Sequence, residues 1–202
     1  MKPDGVRQQP AARRQPEEEL VLAGFGGQGV MLMGQLLAYA GMLEDRNVTF
    51  WPSYGPEMRG GTANCTVVVS DAPVGSPVVS HPSVVVAMNE PSLDKFEPAL
   101  RPGGLLVINS SLIARGTARQ DVRVIEVPAN QIADELGDGR VANMVVLGAV
   151  IGATAVVDVA SVSNSLRKVL PQRRHGLIPL NEQALARGMD VAAGAQVGQA
   201  SV

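Results

Sequence analysis

Cysteine occurs once, at position 65, in a chain of 202 residues. A single thiol excludes an intrachain disulfide, a Cys-x-x-Cys zinc site and the four thiolates an iron–sulfur cluster needs. Cys65 leads into an apolar strand with no cation beside it in sequence, so it reads as a buried structural thiol rather than a reactive one. Histidine is almost as scarce. His81 lies in a Pro-bounded loop and His175 beside Arg173-Arg174; both read as surface groups, and with no Gly-x-Ser-x-Gly elbow a hydrolase triad is not expected. Aromatics make up only 3% of the chain, so a core must be built from Val, Leu, Ile, Ala and Met. Charge of either sign is nearly balanced, at a net −2 without a basic stripe, which offers nothing to nucleic acid or an anionic membrane. No apolar run reaches the roughly 18 residues of a membrane span. Arg13-Arg14 is followed by Glu17-Glu18-Glu19 rather than by the apolar stretch of an export signal, so a cytoplasmic protein is expected.

Hydrophobic residues at 46% in a chain of this length suffice for one packed domain. Residues 1–19, rich in Gln, Pro, Arg and Glu, read as a disordered leader, residues 20–190 as the domain, and the Gly/Ala/Gln-rich residues 191–202 as a flexible tail. Strands are expected at 20–24, 47–51, 65–70, 83–88, 105–109 and 122–127. Helices are expected at 30–43, 91–100, 129–136, 142–157, 161–170 and 180–189. The helices at 30–43 and 142–157 are apolar nearly all round, as in helices sandwiched against a sheet. The pattern predicts a three-layer α/β domain with a mainly parallel, Rossmann-like sheet and helices on both faces. Between Trp51 and Ser70 strand follows strand through a long loop, so one irregular or antiparallel excursion is expected there.

Three segments carry chemistry. In the first, Leu20-Val21-Leu22-Ala23 runs into Gly24-Phe25-Gly26-Gly27-Gln28-Gly29, a strand feeding a glycine turn that opens a helix. Gly24, Gly26 and Gly29 have the spacing of a dinucleotide-binding turn, where a helix N-terminus meets a phosphate. The same spacing also suits a tight strand-to-helix turn that binds nothing. In the second, Tyr54-Gly55-Pro56-Glu57-Met58-Arg59-Gly60-Gly61 follows the second strand. Arg59 could clamp a carboxylate or phosphate, with Glu57 orienting it and Gly60-Gly61 allowing close backbone approach. An internal Glu57–Arg59 pair that only fixes a strand entry explains the loop equally well. In the third, Asn143 opens the apolar helix Asn143-Met144-Val145-Val146-Leu147-Gly148-Ala149, where it serves the backbone or holds the Tyr54–Gly61 loop.

Competing motifs fail on their details. A nicotinamide site wants a carboxylate at the end of the second strand, but Glu44 and Asp45 precede that strand and Trp51-Pro52-Ser53 end it. No Gly-Lys-Ser/Thr follows the glycines, so a P-loop is excluded. Gly137-Asp138-Gly139 has part of a thiamine-diphosphate pattern, yet only a lone Asn164 follows at the required distance, and the segment reads as a glycine-rich helix stop.

The glycine turn, the Ser53–Cys65 loop and the Asn143 segment, in that order, resemble the gamma subunit or gamma domain of the 2-oxoacid:ferredoxin oxidoreductases. The wording of the loop resembles the 2-oxoglutarate branch, 2-oxoglutarate synthase. The resemblance spans roughly residues 20–185. It implies a non-autonomous subunit of an enzyme that converts 2-oxoglutarate, coenzyme A and oxidised ferredoxin to succinyl-CoA, CO2 and reduced ferredoxin. It further implies thiamine diphosphate, magnesium and iron–sulfur clusters on partner alpha and beta subunits, and it admits a ferredoxin-like delta subunit. This chain would hold none of those groups, and it has no catalytic residue or metal site of its own. It would contribute to assembly and, through Gly24, Gly26, Gly27, Gln28 and Gly29, to a coenzyme A site. Tyr54, Glu57, Arg59, Gly60, Gly61 and Asn143 would stand at a ligand or subunit boundary. Pyruvate, branched-chain 2-oxoacids and indolepyruvate remain open as substrates. From other classes, a stand-alone nucleotide or acyl-CoA binding module and a small NAD-dependent oxidoreductase remain as alternatives.

Overall fold

The computed structural model describes residues 15–53 and 62–199. Six strands form one sheet in the order β2-β3-β1-β4-β5-β6: β1 Glu17–Phe25, β2 Asn47–Ser53, β3 Thr62–Ser70, β4 Val84–Ala87, β5 Leu105–Asn109 and β6 Arg123–Val127. β1, β4, β5 and β6 run parallel. β3 is the expected excursion, inserted antiparallel between β1 and β2.

Period-2 alternation divides the strand residues between two cores. Leu20, Leu22, Val67, Val84, Val86 and Val107 face the larger one, built with α1 Val30–Leu43, α3 Ala129–Glu135, α4 Ala142–Thr154, α5 Val159–Val169 and α6 Ile178–Gln199. Val21, Val85, Ala87, Leu106 and Ile108 face the smaller one, where Leu93 of α2 Glu90–Phe96 packs with Leu100 and Ile113. No aromatic side chain enters either buried set, consistent with the aliphatic composition.

Regular structure extends past the expected element bounds at both ends, while residues 1–14 and 200–202 lie outside the described residues. The strand begins at Glu17, not Leu20, because Glu17–Glu19 pair with Ser70–Val68. Arg46, buried beneath this segment, donates to the carbonyls of Gln15 and Pro16 and, from the other side, to that of Val156. Glu18 is buried too, its carboxylate accepting from the Ser83 hydroxyl. Three consecutive acids look like leader; a buried arginine and a serine make them strand.

At the other end, α6 runs through residues 191–199, where a flexible tail was expected, and Ala192 is fully buried. Small residues let α6 lie against α4: a Cβ on Gly152 would stand 3.2 Å from that of Ala192. A Cβ on Gly188 would stand 1.9 Å from the Val145 carbonyl oxygen, and one on Gly148 2.1 Å from that of Leu185. Other boundaries shift by a few residues; α4 stops at Thr154 because Ala155 turns left-handed at φ 51°.

Candidate functional site

In this topology the chain leaves β1 toward β2 on one side and returns to β4 on the other, so the carboxyl ends of β1 and β4 flank a switch point. Parallel α/β sheets open a crevice there that is suited to ligands. The glycine turn falls at this place, between β1 and α1.

The turn is held by Gln28. Its Oε1 accepts from the Phe25 N–H at 2.6 Å and from Asn89 Nδ2 at 3.2 Å, while its Nε2 donates to the Met88 carbonyl at 3.1 Å. One side chain thus ties the end of β1 to the end of β4. Gly24 is required beneath it, since a Cβ there would lie 2.7 Å from Gln28 Oε1 and 2.8 Å from Met88 Cβ. Gly27 and Gly29 are left-handed, at φ 97° and 75°. Gly29 is the N-cap of α1 and supplies no side chain to its free amides. Asn143, reaching over from α4, lies directly above it: Nδ2 is 3.4 Å from the Gly29 carbonyl oxygen, and a Cβ on Gly29 would be 2.3 Å from that nitrogen. Gly26, Gly27 and the uncapped helix end are the parts of the turn left for an anion. The Phe25 N–H is already taken by Gln28.

A cavity of about 230 Å³ opens at this place, lined by Gly27, Gln28, Met88, Asn130, Gly139, Arg140 and Ala142. Arg140 is its one cation among the described residues, paired to Asp138 through Nη2–Oδ2 at 2.6 Å and Nε–Oδ1 at 2.9 Å. The Arg140 side chain, followed by its backbone N–H, holds the Asp138 carboxyl down at about 2. Asp138 belongs to the Gly-Asp-Gly segment, which is a helix stop as expected. Gly137 takes φ 89° and donates to the Asp134 carbonyl, Asp138 donates to that of Ala133, and the Asp138 carboxylate caps the following short 3-10 turn.

The other candidate residues fall elsewhere. Tyr54, Glu57, Arg59, Gly60 and Gly61 lie outside the described residues. Glu44 accepts from the Asp158 N–H at 2.7 Å, and Asp45 sits in the left-handed turn that leads into β2; neither reaches the crevice. Cys65 is fully buried against α1, and burial pushes its thiol up to about 12, so it is an inert packing group. His81 is exposed, and His175 lies with Nε2 2.9 Å from the Leu170 carbonyl oxygen. Among the described residues, no group of three His, Cys, Asp or Glu could hold a metal ion, and no helix is long and apolar enough to cross a membrane.

Sequence reading missed Asn89, Asn130 and Arg140. Asn89 had a signal: Asn89-Glu90-Pro91-Ser92 is a helix start, and Asn89 Oδ1 accepts from the Ser92 N–H at 2.9 Å. Asn130 and Arg140 carried none, because only the sheet brings the ends of β6 and α3 to the glycine turn.

A doubly wound α/β domain with a glycine turn at its switch point defines the class: a Rossmann-like domain whose open crevice lies at the carboxyl ends of β1 and β4. Residues 19–191 match the Pyruvate ferredoxin/flavodoxin oxidoreductase family, and the chain belongs to it. It is 42% identical over 176 residues to the ketoisovalerate oxidoreductase subunit VorA of Methanothermobacter marburgensis, covering 86% of this chain and 36% of that protein. It is 33% identical over 178 residues to the 2-oxoglutarate synthase subunit KorC of Methanocaldococcus jannaschii, covering 87% of this chain and 94% of that one. The chain therefore spans only about a third of the VorA relatives it matches, and nearly all of KorC. Among solved structures, the keto/oxoacid ferredoxin oxidoreductase gamma subunit of Geobacter sulfurreducens superposes with a TM-score of 0.78 at 27% identity, covering 90% of this chain and 99% of that one. The 2-oxoglutarate:ferredoxin oxidoreductase of Magnetococcus marinus, solved with 2-oxoglutarate, coenzyme A and succinyl-CoA bound, shares the fold with a TM-score of 0.81 at 21% identity, over 90% of this chain and 32% of that one. The chain has the fold of a gamma subunit.

Proposed function

We propose that this chain is the gamma component of a 2-oxoglutarate:ferredoxin oxidoreductase, inactive alone, and that its glycine turn forms part of a coenzyme A site. The observation that carries the 2-oxoglutarate reading is the end-to-end match to KorC: nearly the whole of that subunit corresponds to this chain, so the likeness is between units of the same extent. The wording of the Ser53–Cys65 loop agrees with it. A branched-chain 2-oxoacid is the second reading, favoured by the higher identity to VorA.

In this reading, partner alpha and beta subunits bring thiamine diphosphate, magnesium and iron–sulfur clusters, and ferredoxin accepts the electrons. Thiamine diphosphate and the clusters supply the decarboxylation and electron transfer. What this chain adds is a rigid wall. Gln28 fixes the end of β1 to that of β4, Asn143 fixes the start of α1, and the exposed Gly26-Gly27 backbone with the uncapped α1 amides suits a diphosphate. The lone buried thiol fits a cytoplasmic protein.

Purification from the native cell followed by turnover assays tests the proposal. The chain should copurify with larger subunits. The complex should use 2-oxoglutarate in preference to ketoisovalerate and pyruvate, and the isolated chain should turn over none of them. Preference for ketoisovalerate would establish the second reading. A monodisperse chain that binds a nucleotide or acyl-CoA by itself and copurifies with nothing would make it a stand-alone module.

A further inference from the structure

The sheet ends in two unlike edges. β6 carries charge at two of its five residues, Arg123 and Glu126, both exposed. β2, at the other edge, carries none in seven, and Pro52, next to its end, is the one residue there that discourages a further strand. α1, which leads into β2 through a tight turn at Glu44–Arg46, is equally free of charge over its 14 residues. It sits over the gap between β2 and β3: Gly34 faces Phe50 and Cys65, and Gly41 faces Val48 and Val69. Met31, Gln35, Tyr39 and Met42 fall on the outward side of this helix at helical spacing, and Trp51, alternating with Phe50, turns to the opposite face of the sheet. Three of the six aromatics in this aromatic-poor chain, Tyr39, Phe50 and Trp51, thus straddle one open edge, and exposed aromatic side chains are a mark of interfaces. At exposures of 57% for Trp51, 45% for Tyr39, 61% for Met42 and 53% for Leu43, these four leave roughly 400–500 Å² of side chain in water. That is half of the roughly 800 Å² a standard interface takes from each partner, before the strand edge itself is counted.

We propose that this edge joins a second copy of the chain about a two-fold axis perpendicular to the sheet, with β2 pairing antiparallel to its copy and α1 packing on its own. The position of α1 selects this occupant. The axis lies half a strand spacing beyond β2, and α1 half a spacing inside it. Helix and copy therefore stand two strand spacings apart, about 9–10 Å, the distance of packed helices. One operation satisfies the open strand edge and covers the uncharged helix face together, and it sets no charged residue of β2 or α1 against its like. A lone peptide strand added to β2 would leave Tyr39 and Met42 in water.

The test uses the full chain. Sedimentation from micromolar to millimolar concentration should show reversible dimers of twice the 21.1 kDa of one chain. Hydrogen exchange should slow with concentration at the β2 amides that point away from β3. Trp51→Lys and Met42→Glu, both at exposed positions, should keep the native circular dichroism while weakening the dimer at least about tenfold, because each sets a charge beside the joined edge or in the helix seam. Leu112→Glu, equally exposed but in the turn after β5, should leave the dimer unchanged. A monomer at every concentration, or a dimer indifferent to both edge variants, would overturn the proposal. Dimers without slowed β2 amides would overturn the strand pairing. Slowing of β2 only when the chain is assembled with larger subunits from its native cell would overturn the second copy and give the edge to one of them.

Discussion

Replacing Gly29 by alanine probes the turn at its tightest point. Gly29 sits at φ 75°, and a side chain in that left-handed region costs about 1–2 kcal/mol. Its new methyl would also stand 2.3 Å from Asn143 Nδ2, 2.8 Å from Cγ and 3.1 Å from Cβ. Asn143 can yield by giving up only a long 3.4 Å contact to the Gly29 carbonyl, so the packing penalty belongs at the low end of the range for overfilled sites, about 1 kcal/mol. Together the two terms predict a loss of about 2–3 kcal/mol, or roughly 5–10 °C in melting temperature for a domain of this size. In an Asn143→Ala background the nearest obstacle retreats to Cβ at 3.1 Å, and Gly29→Ala should then cost its backbone strain and a few tenths of an ångström of adjustment. The coupling in this double-mutant cycle should be about 1 kcal/mol. Urea and thermal unfolding of the four proteins give the cycle. Equal losses in both backgrounds would show that Asn143 does not press on the turn, and a neutral Gly29→Ala would show that the residue is not left-handed.

Along α6 the same substitution should have opposite signs at two glycines. Gly188→Ala forces a methyl into the Val145 carbonyl and should lower the melting temperature, whereas Gly194→Ala, which meets nothing, should raise it slightly. Arg46→Met should destabilise by about 2–4 kcal/mol in urea melts, and Arg46→Lys should not rescue it, because three backbone carbonyls on two segments need the guanidinium fork. Cys65 should resist a thiol reagent at neutral pH until the chain unfolds; rapid labelling of the native protein would contradict its burial and its thiol raised to about 12. The Asp138 carboxyl is held below its unfolded value, so its pairing stabilises above pH 4 and that contribution is lost as the pH falls toward 2. Stability curves of wild type and Asp138→Asn should therefore differ by a small amount at neutral pH, as befits an exposed pair, and converge near pH 2.

The sheet and most of its helices are legible in the chain because their signals are local. Valine-rich runs of period 2, all-apolar helices at 30–43 and 142–157, and glycines at a strand-to-helix turn each depend on neighbours a few residues away. The loop from Ser53 to Cys65 signals an irregular strand pair for the same reason, and β3 is that pair's antiparallel member. The ends of the described chain are less legible, because what they form depends on distant partners. Glu17–Glu19 become strand through Ser83 and Arg46, and α6 continues past residue 190 with Ala192 buried beside Gly152 of α4.

The site divides along the same line. Residue type and spacing alone settle that the turn needs glycine, that one cysteine serves neither a cluster nor a disulfide, and that no carboxylate ends β2 to hold a ribose. Only tertiary structure decides that Gln28 bridges β1 to β4, that Asn143 lies above Gly29, and that Arg140 walls the crevice. The paired residues are 60 positions apart at Gln28–Met88 and 114 at Asn143–Gly29. Sequence patterns report contacts that the backbone's own periodicity enforces, whereas these contacts exist because a parallel sheet gathers the carboxyl ends of separate strands along one edge.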